Sequence, residues 1–275
     1  CIARPANFEV CALILQTLMK RQIRKWTLRL TATGLLLSAF LLGIVLNPSL
    51  LYANRTTIGN YTIYHNSTLD QTFSARLDDA TTLIKASELF DSNLKLDICL
   101  NDGSTYPKLI RFIRGQAFGW GFADKVVLMG NANNADNSVE LNGYKWNLTQ
   151  LIAHEETHCL QFHKFGFWKS NPIAGYPNWK WEGYPEYVSR RNADQLDSTK
   201  NILRKLEQEK ADADGWAIYF SDNTISPREY YNAWLLVQYC LDIKKMSYES
   251  LLADTTSEQE TSRQMMLWYS NQTQQ

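Results

Sequence analysis

The segment His154-Glu155-Glu156-Thr157-His158 constrains this chain more than any other feature of its sequence. Residues four apart on a helix lie one above the other, so His154 and His158 can offer two imidazole nitrogens to one ion at the roughly 2.0–2.1 Å that zinc requires. Glu155 follows the first histidine, beside the open coordination position, where it can accept a proton from water. The chain has only four histidines, which makes an accidental pair on an ordinary surface helix a poor alternative.

The residues around this segment predict one uninterrupted helix over residues 148–164. Asn147 is a favourable N-cap, and Gln150 follows three residues later, close to a capping-box arrangement. Apolar residues continue at helical spacing, and Gly166 is a natural stop. No proline or glycine lies between these ends.

The two other histidines are not expected to bind the ion. His163 lies five residues after His158, and the helical period turns it about 140° away. His65 comes at the end of a predicted strand and is expected to be an ordinary surface histidine.

A catalytic zinc ion usually takes three protein ligands, and two known ligand patterns do not fit this chain. Metzincin-type sites have a histidine six residues after the second one, where this chain has Lys164. A dinuclear carboxylate site needs two Glu-x-x-His pairs on separate helices, and this spacing occurs only from Glu155 to His158.

A third pattern does fit, because the segment Trp179-Lys180-Trp181-Glu182-Gly183-Tyr184-Pro185-Glu186-Tyr187 resembles the Trp-x-x-Glu-Gly-x-Ala-Glu-Tyr type of segment in gluzincin peptidases, the thermolysin and aminopeptidase relatives. The resemblance implies that Glu182 is the third zinc ligand. Glu186 is then expected to support the ligands. It is also the alternative to Glu182 as the third ligand. The gap from His158 is longer than in the best-known members. Pro185 departs from the family's small residue, and since proline is tolerated in a first helical turn, the helix is expected to begin near Trp181.

A second segment, at residues 229–239, resembles the late helix of the same family. There a tyrosine near the helix start hydrogen-bonds the oxyanion of the reaction, which implies Tyr230, with Tyr231 as the alternative. The family's edge strand, which pairs with an extended peptide, would correspond to residues 125–129. The resemblance covers roughly residues 125–255.

The body of the chain, residues 55–275, predicts an α+β domain: a small mixed sheet followed by a mainly helical part. The resemblance implies a zincin-like catalytic domain. Alternation and turn signals predict strands at 61–64, 94–100 and 125–129. Helical spacing predicts a long amphipathic helix over residues 69–89 and a short helix at 106–113.

The amino-terminal part has the layout of a membrane signal. A basic cluster at residues 20–25 precedes an apolar stretch at 30–46 that ends at Asn47-Pro48. We expect residues 27–47 to form a signal anchor that crosses the membrane once, with the body outside the cytoplasm. Cleavage after Ala53, which would release a secreted protein, is the alternative. In the preceding segment, residues 1–26, Met19 is the expected true start.

Composition narrows the partners. The formal net charge is zero and no basic stripe lies in the body, so nucleic acid is not an expected partner. Five cysteines lie at scattered spacings, which argues against a cysteine zinc ribbon. Cys159 and Cys240 are expected to be buried free thiols, although one bridge among these two and Cys99 stays open.

Together these features predict zinc-dependent hydrolysis of peptide bonds with one Zn²⁺ ion held by His154, His158 and Glu182. Glu155 is the expected general base, a peptide or protein the substrate, and one N-terminal helix the contact with the membrane. Two alternatives stay open: a non-catalytic, zinc-stabilised binding or scaffold domain outside the cytoplasm, and a zinc hydrolase of a non-peptide amide.

Overall fold

The computed structural model describes residues 6–192 and 195–274, with side chains from residue 18 onward. The chain divides into two units, residues 1–50 and residues 51–275. We call the second unit the body.

The first unit is built on one helix, α1 (Ala6–Leu46), which runs without a break through the predicted boundary at residues 26 and 27. Its part from Leu18 to Leu46, 29 residues, is long and apolar enough to cross a membrane. A short 3₁₀ turn, Pro48–Leu50, follows.

Five short strands form the first sheet of the body. Its five strands are β1 (Asn54–Ile58), β2 (Tyr61–His65), β3 (Leu96–Cys99), β4 (Gly119–Phe122) and β5 (Lys125–Leu128). Their order is β1-β2-β3-β5-β4, with β2, β3 and β5 parallel and the two outer strands antiparallel to their neighbours. The strands predicted at 61–64, 94–100 and 125–129 are confirmed within two residues at each end.

The prediction that residues 125–129 form an edge strand is wrong. Residues 125–129 form β5 and the residue after it, and β5 lies between β3 and β4, so β4 is the edge strand at this end of the sheet and β1 the edge strand at the other. The reason is that β4 has the sequence Gly-Trp-Gly-Phe. Two glycines in four residues give no strand signal in the sequence.

The sheet register gives its two faces different surroundings. One row across the strands is Ile63, Ile98, Val126 and Gly121, and the next is Tyr64, Cys99, Val127 and Trp120. Because side chains alternate between the faces of a sheet, the first row belongs to one face and the second to the other. The apolar residues of the first row join the main core.

Two helices follow the early strands. They are α2 (Phe73–Ile84), which packs on the motif helix, and α3 (Tyr106–Arg114), which contacts β5. A second sheet then forms from β6 (Asn131–Asn133), β7 (Ser138–Leu141) and β8 (Tyr144–Asn147), all antiparallel. The last of these leads directly into the motif helix.

The rest of the body is mainly helical, and the chain is an α+β protein, as predicted. Its helices are α4 (Leu148–Phe165), α5 (Asn178–Ser189), α6 (Ser198–Ala211), α7 (Arg228–Gln238), α8 (Tyr248–Ala253) and α9 (Glu258–Thr273), with the hairpin β9 (Ala217–Tyr219) and β10 (Ile225–Pro227) before α7. Helices α5 and α7 pack extensively on each other, and α5 also packs on α4. Cys99, Cys159 and Cys240 are buried and free, as expected for Cys159 and Cys240.

Candidate metal centre

Helix α4 has the ends that its sequence predicts. The Asn147 side chain accepts a hydrogen bond from the Gln150 backbone N–H at 3.0 Å, and Gly166 ends the helix with a positive φ of 74°. The Gln150 side chain does not complete a capping box. It is buried, donates to Gln195 at 2.9 Å and accepts from Arg190 at 3.2 Å.

Helix α5 begins at Asn178, three residues before the expected Trp181, so Pro185 lies inside it and not in its first turn. A proline in a helix interior leaves the carbonyl four residues earlier without its backbone donor. That carbonyl belongs to Trp181, and it accepts a hydrogen bond from Gln161 Nε2 of α4 at 2.9 Å. The connection between α4 and α5 therefore uses the carbonyl that Pro185 leaves free.

The two helices bring the predicted ligands together. The Nε2 atoms of His154 and His158 lie 3.6 and 3.1 Å from Glu182 Oε2. The three ligand atoms all lie within 4.8 Å of one another, in a buried group that can hold a metal ion. Two imidazoles and a carboxylate are the donor set of many catalytic zinc sites.

The outer nitrogen of each imidazole faces an oxygen, through a hydrogen bond at His158 and through an ion-pair contact at His154. His158 Nδ1 lies 2.7 Å from Gln161 Oε1, and His154 Nδ1 lies 3.1 Å from Glu186 Oε1. Because an amide or carboxylate oxygen can only accept, both protons belong on Nδ1. In the neutral rings, the form that binds a metal, both Nε2 atoms then keep a free lone pair, and the residues present fit a metal ion.

Glu186 is fully buried and is held by an equally buried cation. The Arg190 guanidinium donates through Nε to Glu186 Oε2. It also lies over three aromatic rings, at 5.3 Å from Trp146, 5.0 Å from Phe220 and 5.8 Å from Trp234. In this geometry Glu186 supports His154 and does not converge with the ligand atoms.

The site attracts positive charge. Burial lowers the pKa of His154, but Glu182 and Glu186 outweigh burial and raise it to about 10. Burial raises the pKa of Glu182, and the two histidines outweigh it and hold that pKa well below its usual value. A proton or a metal cation is therefore strongly favoured between these groups.

Glu155 lies under the edge strand β4. A Cβ atom at Gly119 would lie 2.8 Å from Glu155 Oε1, and one at Gly121 would overlap the Glu155 backbone carbonyl. These two glycines let the strand approach α4 closely enough to cover Glu155. Burial raises the pKa of the Glu155 carboxyl, while both histidines act in the opposite direction. The carboxylate is thus a stronger base than an exposed one, as proton transfer requires.

Tyr230 and Tyr231 have different surroundings. Tyr231 is fully buried, and its hydroxyl donates to Asn201 O at 3.0 Å. Tyr230 lines a small solvent-open pocket together with Glu182, and its ring centre lies 6.0 Å from that of His154. Burial and the nearby carboxylates raise the pKa of Tyr230, so it keeps its hydroxyl proton. Of the two tyrosines, only Tyr230 lies at the metal group.

The two remaining histidines, His65 and His163, lie apart from the metal ligands. His163 is exposed and lies 3.3 Å from Asp91, so the structure places it away from the ligands, as predicted. His65 is not at the surface. It is 8% exposed, with its ring nitrogens at 2.9 Å from Thr56 Oγ1 and 2.7 Å from Ser67 O. Two local partners replace the water that a surface ring would bind.

Three residues near the ligands were not identified from the sequence: Gln161, Arg190 and Trp146. Gln161 lies three residues after His158, and Arg190 four residues after Glu186. These are the spacings at which helical side chains meet, so both pairs were detectable. Trp146 packs edge-on against His154 and Tyr230, and no sequence pattern indicates that contact.

Comparison with known proteins gives no matching family model and no matching curated protein. The chemistry of His154, His158 and Glu182 is therefore inferred from their geometry.

Proposed function

We propose that this chain is a zinc-dependent hydrolase of peptide bonds, with a gluzincin-like site. One observation carries the proposal: His154 Nε2, His158 Nε2 and Glu182 Oε2 converge within 4.8 Å, and Glu155 lies beside them on the same helix. A metal group with an adjacent unligated carboxylate is what hydrolysis by an activated water requires.

The two imidazoles and the carboxylate would hold the ion, and their Nδ1 partners would orient the rings. Bound there, zinc supplies a Lewis acid that polarises a carbonyl oxygen and lowers the pKa of water. Glu155 accepts the proton of the attacking water and delivers it to the leaving amine. Its position under β4 keeps bulk water from the carboxylate, which strengthens it as a base.

The substrate is proposed to lie along the edge strand. The outer side of β4 pairs with no other strand in the described residues. An extended peptide can add to such an edge through backbone hydrogen bonds, and Gly119 and Gly121 hold this edge directly over Glu155. This arrangement favours a peptide over a compact non-peptide amide.

Tyr230 is proposed to donate to the oxyanion that forms as water attacks the carbonyl. Its raised pKa keeps the proton that a donor needs. Glu182 and Tyr230 share one cavity, which can receive a side chain next to the cleaved bond.

We further propose that α1 is a signal anchor and that the body lies outside the cytoplasm. The apolar part of α1 has the required length. The basic cluster at residues 20–25 precedes its most apolar part, and such charges stay on the cytoplasmic side.

Glu155→Gln tests the proposed mechanism. The amide cannot accept the proton, so the purified full chain should lose peptide cleavage by roughly a hundredfold or more. It should keep its zinc, measured by atomic absorption, because Glu155 is not a ligand. Glu249→Gln, at an exposed position on α8, is the control and should keep full activity.

The same experiment separates the alternatives. Zinc without cleavage of any member of a peptide library by the unaltered chain would indicate a scaffold domain. Cleavage of non-peptide amides, without cleavage of any peptide, would indicate a zinc hydrolase of a non-peptide amide. Full activity in Glu155→Gln would exclude Glu155 as the base.

A further inference from the structure

Helix α3 carries the most exposed large apolar side chain in the described part of the chain. Phe112 is 88% exposed and the next residue, Ile113, is 45% exposed. The opposite side of α3 is buried through Tyr106 and Ile110. An exposed aromatic ring beside a second apolar residue is a candidate contact for an apolar partner.

Basic residues surround the tip. Lys108, Arg111 and Arg114 all belong to α3, whose sequence contains no acidic residue. The Arg111 side chain donates to Met129 O at 2.7 Å, and Arg114 lies 5.3 Å from the centre of the Trp120 ring. Lys108 and Arg114 are exposed. A helix with an aromatic apolar tip and a basic margin has the composition of helices that lie in a lipid interface.

The path of the chain from α1 into the body indicates which surface α3 can contact. Tyr52 donates to Leu100 O at 2.8 Å, and its ring lies 5.9 Å from that of Tyr106, the first residue of α3. Tyr52 comes six residues after Leu46, the end of α1. Six residues extend over no more than about 20 Å, and they arrive next to α3.

We propose that α3 docks on the lipid headgroup layer of an anionic membrane. Phe112 and Ile113 enter the headgroup region, while Lys108 and Arg114 pair with lipid phosphate and carboxylate groups. This inference rests on the proposed anchoring of α1 in that membrane and not on the hydrolase activity.

Docking through α3 leaves the metal centre open. Trp120, which Arg114 covers, lies in the same row as Cys99 and Val127, on the face of the sheet opposite Gly121. Gly121 meets Glu155 on α4. Glu155 and helix α4, which carries both ligand histidines, therefore lie on the other face of the sheet from the docking helix.

Hydrogen exchange of the full chain in lipid nanodiscs, one chain per disc, tests the proposal. Discs of phosphatidylcholine alone are compared with discs that also contain phosphatidylserine. Exchange of the α3 amides should slow by at least roughly fivefold in the anionic discs, the factor that corresponds to one basic residue near such a surface. Exchange of α6, which also carries an exposed leucine, should not change.

Two variants sharpen the result. Phe112→Ser with Ile113→Ser should abolish the slowing while exchange in α4 stays as in the unaltered chain, which shows that the body remains folded. Lys108→Glu with Arg114→Glu should remove the difference between the two lipids. Leu203→Ser on α6, at a residue 44% exposed, is the matched control.

Equal exchange of α3 in both kinds of disc, in the unaltered chain and in the Phe112/Ile113 variant, would overturn the proposal. Slowing that appears only with two chains per disc would assign the tip to a second copy of this chain and would equally overturn it. Failure of the anchor is separate, because alkaline carbonate would then release the full chain from vesicles.

Discussion

His154 and His158 stand one helical turn apart on α4, but their outer ring nitrogens meet two different supports. His154 faces the charged pair Glu186–Arg190, both residues fully buried, with the guanidinium among aromatic rings. His158 faces the neutral amide of Gln161, which is held in turn by Trp181 O and the Tyr248 hydroxyl. We call these the charged support and the neutral support.

The difference teaches what each support contributes. A carboxylate behind an imidazole orients the ring and also raises its basicity, whereas an amide only orients it. The charged support is costly to disrupt, because removing one member leaves an uncompensated charge in the interior. The neutral support can be altered without burying a charge. Damage to the charged support should therefore affect both folding and metal affinity, and damage to the neutral support mainly metal affinity.

The largest effect is expected from Arg190→Met. This change leaves Glu186 charged and buried, and it should lower the free energy of unfolding by about 3–5 kcal/mol, measured with urea in detergent solution. Adding Glu186→Gln to Arg190→Met should restore much of that loss, because no buried charge then remains.

The matched control for Arg190→Met is Arg263→Met. Arg263 forms an exposed pair with Glu260, three residues away on α9, and its loss should leave stability unchanged within error. If Arg190→Met were as harmless as Arg263→Met, the charged support would have no structural weight, and the contrast between the two supports would fail.

The next largest effect is expected from Glu186→Gln alone. The amide oxygen can still face His154 Nδ1, but the negative charge is gone. Zinc affinity, measured by competition with a chelator, should fall by about 10–100-fold, as for other partners of ligating histidines. Unchanged zinc affinity in a folded variant would mean that Glu186 serves only Arg190.

Both supports show how far the sequence could predict the site. His154, Glu155 and His158 follow from spacing on one helix, and the cap at Asn147 and the stop at Gly166 place that helix correctly. These features are local, and local patterns survive folding. The convergence of Glu182 with the histidines was expected only through a resemblance, because no spacing rule relates residues on two helices joined by a loop.

The remaining differences arise from tertiary contacts. The strand β4 carries no strand signal, and its place at the sheet edge depends on how closely α4 approaches Gly119 and Gly121. Helix α5 begins before Trp181 because Gln161 satisfies the carbonyl that Pro185 leaves free. His65 is buried, with its ring nitrogens against Thr56 and Ser67, and no pattern in the sequence indicates these contacts.

A smaller effect is expected from Gln161→Met, which tests the neutral support. Methionine is similar in size but takes no part in strong hydrogen bonds, so His158 keeps its packing and loses its orienting acceptor. Zinc affinity should fall by about tenfold, the lower end of the range for such partners. The free energy of unfolding should change less than in Arg190→Met. A loss of stability as large as that of Arg190→Met would contradict the distinction between the two supports.

The smallest effect is expected from Pro185→Ala, and its two parts have opposite signs. Alanine restores the backbone N–H that donates to Trp181 O. The free energy of unfolding should rise, by less than the roughly 3 kcal/mol that separates proline from alanine in a helix interior, since the unfolded chain also gains freedom. Zinc affinity should fall by only about twofold to threefold, because a carbonyl oxygen can accept two donors and Gln161 is weakened but not displaced.

Pro177→Ala is the control for this pair of effects. Pro177 precedes α5 at its N-cap position, so its replacement creates no new donor for Trp181 O and should leave zinc affinity unchanged. A more stable Pro185→Ala variant with unaltered zinc affinity would show that Tyr248 alone holds Gln161. A more stable variant that binds zinc less tightly would show that Pro185 lowers the stability of α5 and strengthens the orientation of His158.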